Sequence, residues 1–381
     1  MAGFPPRSWG RARVEIVALE PTAVQVTWVG LRPGPVALTV GDHRQVVDTG
    51  GGPGGLVVDG LAPSTSYTLE VAAGGVPDRT RRQTIRTPAT PPGQELTRFA
   101  SVSDIHLGAG AVGILGRIRE HRHGGDPHPL RCGRAAIAES HEWGSQLLVV
   151  KGDVVEEGHP EEWDLADQMF RDAEVPVSIV PGNHEVKKDR VMDHPVTLVD
   201  DDIEIVTGVH HHDLPGLRLI LVNSTVEDHG HGAVDHLRDE VAERAADTDL
   251  PVLIAMHHYA QRFELPWFWP PGIPGREARR FLDAVARANP RSVVTSGHTH
   301  RNRSRRHGPL LVTEVGSTKD FPGVWGGYVV YEGGITQTVR RTLAPEAIEW
   351  TEYTRRAVGG FWGVWAFGSL ADRCITHPWP R

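Results

Sequence analysis

Five stretches of the sequence end an apolar run with side chains that bind cations. "RFASVSDIH" ends in Asp104 and His106, "QLLVVKGD" in Asp153, and "VSIVPGNH" in Asn183 and His184. "VLIAMHH" ends in His257 and His258, and "SVVTSGHTH" in His298 and His300. Imidazole nitrogen with carboxylate and amide oxygen, and no thiolate, is the donor set of borderline divalent metals: Mn, Fe, Zn or Co. Asp104, His106, Asp153, Asn183, His257, His298 and His300 are too many donors for one ion. They suffice for two divalent metal ions sharing Asp153, the arrangement that activates water for in-line attack on phosphorus. Singly, Asp104 or Asp153 reads as a strand-end turn residue. It is the ordered set of five that carries the metal reading.

Such donors meet only if the apolar runs are strands whose carboxyl ends open on one crevice, as in α/β folds. The chain from Leu96 fits, because buried runs alternate with amphipathic helical segments. In "GREARRFLDAVARAN", Ala278, Phe281, Leu282, Val285 and Ala286 recur at helical spacing. "PEEWDLADQMFRDA" and "AVDHLRDEVAERAAD" read as helices of the same kind. Residues 13–87 instead show short alternating runs between Gly/Pro turns, the spacing of an antiparallel β-sandwich. The proline-rich "TPATPPG" (87–93) separates the two patterns and predicts weak contact between them. The expected division is a β-sandwich over 1–90, an α/β domain over 94–345 and an aromatic, glycine-rich tail over 346–381.

The ordered motifs "SDIHLG", "KGDVVEEG", "PGNHE", "AMHHYA" and "SGHTH" resemble those of the calcineurin-like metallophosphoesterases, over about 99–332. The resemblance implies a four-layer αββα sandwich. It also implies that Asp104, His106 and His300 hold one metal and Asn183, His257 and His298 the other, with Asp153 bridging. His257, not His258, is the ligand by the family pattern. His184 would contact the phosphoryl group or protonate the leaving oxygen, and His258 would touch phosphate or orient its neighbour. The interval-of-two pattern in "GLAPSTSYTLEV" (60–71), with Trp28, resembles a fibronectin type III domain, and Trp28 and Tyr67 read as its core packing. Purple acid phosphatases place a tyrosine where this chain has Glu156, and Ser/Thr protein phosphatases an arginine near it, so both subfamilies are disfavoured.

The implied activity is hydrolysis of a phosphodiester, of cyclic nucleotide or glycerophosphodiester type, by a metal-bridging hydroxide. A phosphomonoesterase or a nuclease of the same superfamily is the enzymatic alternative, and a non-catalytic binding protein the alternative of another class. A formal charge of −8 argues against nucleic acid as partner. Glu156 and Glu157 after Asp153 disfavour a dianionic monoester. Two cysteines, no apolar leader and no apolar stretch long enough to span a bilayer predict a cytoplasmic protein. The aromatic loop with Phe263, Trp267, Phe268 and Trp269 is a candidate for stacking on substrate, or with the tail for a homo-oligomer contact. "HHH" (210–212), "HGH" (229–231) and "RNRSRRH" (301–307) read as solvated loops, the second a candidate to overhang the crevice.

Overall fold

The computed structural model describes residues 11–112, 116, 118–120, 125–186, 202–264 and 269–380. Trp267 and Phe268 of the aromatic loop lie outside the described residues. Two β-sheets form the centre of the larger unit. The seven-stranded sheet runs in the order Ile203–Ile205, Val177–Val180, Leu148–Lys151, Glu95–Val102, Val324–Tyr331, Gly334–Arg341, Cys374–Pro378. The six-stranded sheet runs Val209–Leu214, Leu217–Val222, Val252–Met256, Ser292–Ser296, Leu310–Glu314, Arg303–His307.

Side-chain alternation along the strands builds the layers. Val149, Leu219, Leu221, Leu253 and Ala255 point inward and form the core between the sheets. Their neighbours Leu148 and Val150 turn outward onto Ile137 of the helix His128–Glu142 and Phe170 of the helix Pro160–Arg171. Ile220, Val252 and Ile254 likewise meet Val241 of the helix Arg238–Ala246 and Phe281 of the helix Gly275–Ala288. Helices therefore cover both outer faces of a mixed α/β double sheet.

Residues 13–86 form two antiparallel sheets, one of three strands and one of four, around a core of Val24, Trp28, Leu38, Leu69 and Val71. Tyr67 packs against this core, as expected, and adds a hydrogen bond. It is half-buried, and its hydroxyl accepts the N–H of Ala62 at 2.8 Å, tying the turn before its strand to the strand itself. That strand begins only at Ser66, so the alternation across 60–65 belongs to a turn.

Three further expectations change. The histidines 210–212 lie on an edge strand, and His210 and His212 each approach Glu204 at 2.6 Å across the two sheets. Residues 303–307 form the opposite edge strand, while Arg301 is buried against Glu314 at 2.8 Å. The proline-rich segment does not separate independent units. Glu20 pairs with Arg340 at 2.6 Å, Glu15 with Arg355 at 2.5 Å, and Arg373 donates to the carbonyls of Val17 and Ile16 at 2.8 and 3.2 Å. Residues 345–378 fold back to supply Arg355 and Arg373, while Arg340 lies on the strand Gly334–Arg341, and the last strand of 345–378 closes one edge of the seven-stranded sheet.

Gln25 is the buried centre of this seam. Its amide donates to the carbonyl of Arg341 and accepts that residue's N–H, both at 2.8 Å. Gln25→Ala leaves the N–H without its partner, a cost of roughly 1–3 kcal/mol. A lowered urea midpoint with unchanged metal content is the expected result. An unshifted midpoint would mean that the seam does not couple the two units.

Candidate metal centre

All five ligand-bearing runs are strands, and within each sheet they run parallel. Glu95–Val102, Leu148–Lys151 and Val177–Val180 belong to the first sheet, and Val252–Met256 and Ser292–Ser296 to the second. Their carboxyl ends meet across the two sheets. There the backbone adopts conformations that ordinary residues avoid. Among the described residues eight non-glycine positions have positive φ, and five are Asp104 (55°), His106 (50°), Asp153 (52°), His298 (68°) and His300 (52°). Left-handed backbone costs roughly 1–2 kcal/mol per residue, so its concentration here marks a site and not a packing accident. The glycines before the ligands are part of the same geometry. A Cβ on Gly152, at φ 76°, would lie 2.5 Å from His257 Nδ1, and one on Gly182 would lie 2.3 Å from an Asp153 carboxylate oxygen.

The imidazoles fall into two lobes, each built in the same way. In the first, His257 Nδ1–H donates to the carbonyl of Lys151 at 2.7 Å, and His298 Nε2–H donates to that of Pro271 at 3.0 Å. A carbonyl only accepts, so both outer nitrogens carry protons. The inner nitrogens, His257 Nε2 and His298 Nδ1, then face each other at 3.0 Å, with Asn183 Oδ1 at 3.2 Å and Asp153 Oδ2 at 3.3 Å from His257. In the second lobe the outer nitrogen of His300 meets Asp320 at 2.9 Å and that of His106 meets Glu156 at 2.7 Å. Their inner nitrogens stand 3.3 Å apart, with Asp104 Oδ1 3.4 Å from His300 and Asp153 Oδ2 3.6 Å from His106. Acceptors converge on each lobe, and only a positive species, proton or metal ion, satisfies them together.

Electrostatics repeat this demand. Burial works against charge on every imidazole, yet the nearby Asp153 raises His257 to about 9. Against the same penalty, Asp320 and Asp104 raise His300 to about 10. Burial and neighbouring cations take His106 down to about 4, and burial with His257 takes His298 down to about 3. Each lobe thus draws one positive charge. The donor set, with no cysteine near it, fits divalent ions bound through nitrogen and oxygen.

The remaining predicted residues also reach the centre. His184 is half-buried, its Nδ1–H donates to the carbonyl of Glu156 at 2.7 Å, and its Nε2 lies 4.0 Å from Asp153. His258 is fully buried beside His257 and His298; its Nδ1 lies 3.0 Å from Ser224 Oγ, and its Nε2 has no hydrogen-bond partner among the described residues. Gly232, the residue after "HGH", stands against His258, since a Cβ there would lie 2.5 Å from that ring.

Sequence reasoning missed the residues that orient the ligands. Asp320 and Glu156 hold outer nitrogens, and Lys319 Nζ lies 3.3 Å from Asp320. Glu185 accepts the N–H groups of Asp153, Val155 and Gly182 at 2.9, 3.1 and 2.6 Å. Buried Lys151 donates to Thr295 Oγ1 at 3.2 Å and Ser296 O at 3.0 Å, joining the two sheets beneath the site. Glu185, directly after "GNH", and Lys151 and Glu156, within "KGDVVEEG", stood inside quoted motifs, while Lys319 and Asp320 stood in none.

Fold and site define an α/β protein with a two-lobed cation-binding crevice at its strand ends. The calcineurin-like phosphoesterase family model matches residues 97–302, more than half of the chain. The protein belongs to that family, whose members use a dinuclear metal centre. A probable cyclic nucleotide phosphodiesterase of Psychrobacter arcticus is 26% identical over 177 residues, covering 45% of this chain and 63% of its own length. Another, from a second Psychrobacter strain, is 25% identical over 178 residues, covering 45% of this chain and 52% of its own. The chain thus spans between half and two thirds of the length of these relatives. A dimetal phosphatase structure from Danio rerio, 14% identical, covers 65% of this chain and 97% of its own with a TM-score of 0.49. No helix among the described residues is long and apolar enough to cross a membrane.

Asp320→Asn should weaken metal binding roughly 10- to 100-fold, because the imidazole of His300 loses its charged outer partner. Titration of the metal-free protein with manganese checks this. Unchanged affinity would remove Asp320 from any role at the centre.

Proposed function

We propose that the protein is a dinuclear metal-dependent phosphodiesterase. The observation that carries this reading is the convergence of two sets of outward-anchored imidazoles on either side of Asp153 Oδ2. In this reading Asp104, His106 and His300 hold one divalent ion, Asn183, His257 and His298 the other, and Asp153 bridges them. The bound ions would supply charge to the phosphoryl oxygens and lower the pKa of the attacking water.

The chain's own groups do the rest. Asp153 is held in place by the N–H of His184, which donates to its Oδ1 at 3.0 Å, and by Glu185 beneath its own N–H. His184 is oriented through Nδ1, which leaves Nε2 to hand a proton to the departing oxygen. Buried, neutral His258 offers its unpartnered Nε2 to a phosphoryl oxygen. Glu156 stands against His106 with its carboxyl held down to about 2, opposed by burial but stabilised by His106, and so stays ionised. A fixed negative charge here repels the second charge of a monoester dianion more than it hinders a diester monoanion. The names of the curated relatives, probable cyclic nucleotide phosphodiesterases, point the same way. The N-terminal sandwich fits a fibronectin type III-like module, given its three-plus-four strands and the Tyr67 hydroxyl bond.

The test combines metal analysis with kinetics. Purified protein should carry two metal equivalents and hydrolyse an aryl diester with higher kcat/KM than the matched aryl monoester at pH 7–8 with manganese. A tenfold monoester preference would sink the diesterase assignment. Glu156→Gln keeps an acceptor for His106 and removes the charge, so it should narrow the preference for the diester.

Asp153→Ala should lose nearly all turnover together with metal. His184→Ala should keep both ions and lose roughly 10²–10⁴ in kcat, least for good leaving groups. Metal loss in His184→Ala would instead make that histidine structural.

A further inference from the structure

The C-terminal segment that follows the double sheet is anchored to the metal-binding loop itself. Asn302, two residues after His300, donates its N–H to Ala366 O at 2.9 Å and its side-chain amide to Phe367 O at 3.2 Å. Arg301 lies over the ring of Trp365 at 4.9 Å. Trp362 is half-buried, packs on Trp365 with centroids 5.1 Å apart, and donates its indole N–H to Phe321 O at 3.1 Å. Phe321 adjoins Asp320, the partner of His300. The indole is therefore fixed to both sides of one ligand. Its ring lies 6.1 Å from that of His300, at an interplanar angle of 70°.

We infer that Trp362 is a specificity-determining wall of the crevice, which selects phosphodiesters whose retained ester group is flat and aromatic. This rests on the phosphodiesterase reading. A phosphoryl group bound beside the ion that His106 and His300 would hold would bring its ester substituents toward the ring that stands 6.1 Å from His300. The only polar group of the indole is already spent on Phe321, so the exposed part of the ring offers carbon and π surface alone. Such a surface gains by stacking and gains nothing from the hydroxyls of a glyceryl group. The same segment continues apolar towards solvent, with Phe361 61% and Val364 78% exposed.

The experiment compares phenyl p-nitrophenyl phosphate with methyl p-nitrophenyl phosphate, with manganese, in wild type, Trp362→Phe, Trp362→Leu and Trp362→Ala. The leaving group is constant, so a changed phenyl-to-methyl ratio of kcat/KM reports on the retained ester. Trp362→Phe should keep most of the ratio. Trp362→Leu and Trp362→Ala should lower it roughly tenfold, through KM, with two metal equivalents retained. Direct binding of phenylphosphonate against methylphosphonate to the manganese-loaded protein, measured by calorimetry, should lose the same discrimination, a readout that does not need turnover. An unchanged ratio in Trp362→Leu, or loss of metal in both truncations, overturns the inference, the second by making Trp362 a support of His300. Wild-type protein that cleaves neither ester would instead overturn the phosphodiesterase reading.

Discussion

Everything at the centre depends on one constraint: each imidazole has its outer nitrogen committed before anything binds. Lys151 O, Pro271 O, Asp320 and Glu156 take the outer nitrogens of His257, His298, His300 and His106. The inner nitrogens are thereby pointed at two spots on either side of Asp153. Second-partner bonds of this kind fix ring orientation and tautomer and raise ligand basicity. A loose histidine cluster of equal composition would satisfy itself by internal hydrogen bonds. Here the outer partners keep a proton on each outer nitrogen, so the facing inner nitrogens are acceptors until one proton or metal ion enters each lobe.

Holding that arrangement requires two sheets in register with each other, since each supplies part of each lobe. Lys151 acts as a strut, reaching from the first sheet to Thr295 and Ser296 of the second. Lys151 is fully buried there, and burial pushes its pKa down to about 7. Glu185 performs the corresponding task within the first sheet by collecting three backbone N–H groups around Asp153 and Gly182. Buried groups of this kind are costly, and they persist where their bonds define a geometry that apolar packing would leave undetermined. The five left-handed ligand residues are held against their own conformational preference by the same network.

The strands and the residues at their ends were legible in the sequence because apolar runs ending in Asp, Asn and His are local patterns. "SVVTSGHTH" needs nothing beyond itself to read as a buried strand with two candidate ligands. The lobes are different, because Asp320 and Pro271 meet His300 and His298 only through the fold, and neither sits in a recognisable motif. "RNRSRRH" was misread for a related reason. Charge composition suggests solvent, yet Arg301 finds Glu314 and the Trp365 ring and is buried with them. The triple histidine at 210–212 was read as loop because its alternation is hidden when every residue is polar. The strand is set by pairing with Leu217–Val222, and composition alone carries no trace of that.

The proline-rich connection misled for the most instructive reason: a linker's composition describes the linker and says nothing about the surfaces it joins. Those surfaces carry an apolar contact, Leu370 on the sandwich core, and charged and polar ones, since Glu15, Glu20 and Gln25 each have a buried or half-buried partner across the seam. The partners belong to the strand Gly334–Arg341 and to the C-terminal segment, not to the helices. Arg355, held by Glu15, lies over Phe321 at 4.6 Å, and Phe321 carries the indole of Trp362. Arg373, bound to Ile16 and Val17 of the sandwich, also holds the carbonyls of Phe367 and Gly368 at 3.0 and 2.7 Å. The sandwich is thus connected to the metal crevice by two short chains of contacts, both ending in the segment that borders His300. Without it the C-terminal segment would lose two of its charged anchors while the double sheet kept its own core. On this geometry the N-terminal module contacts the same segment that carries Trp362 beside His300.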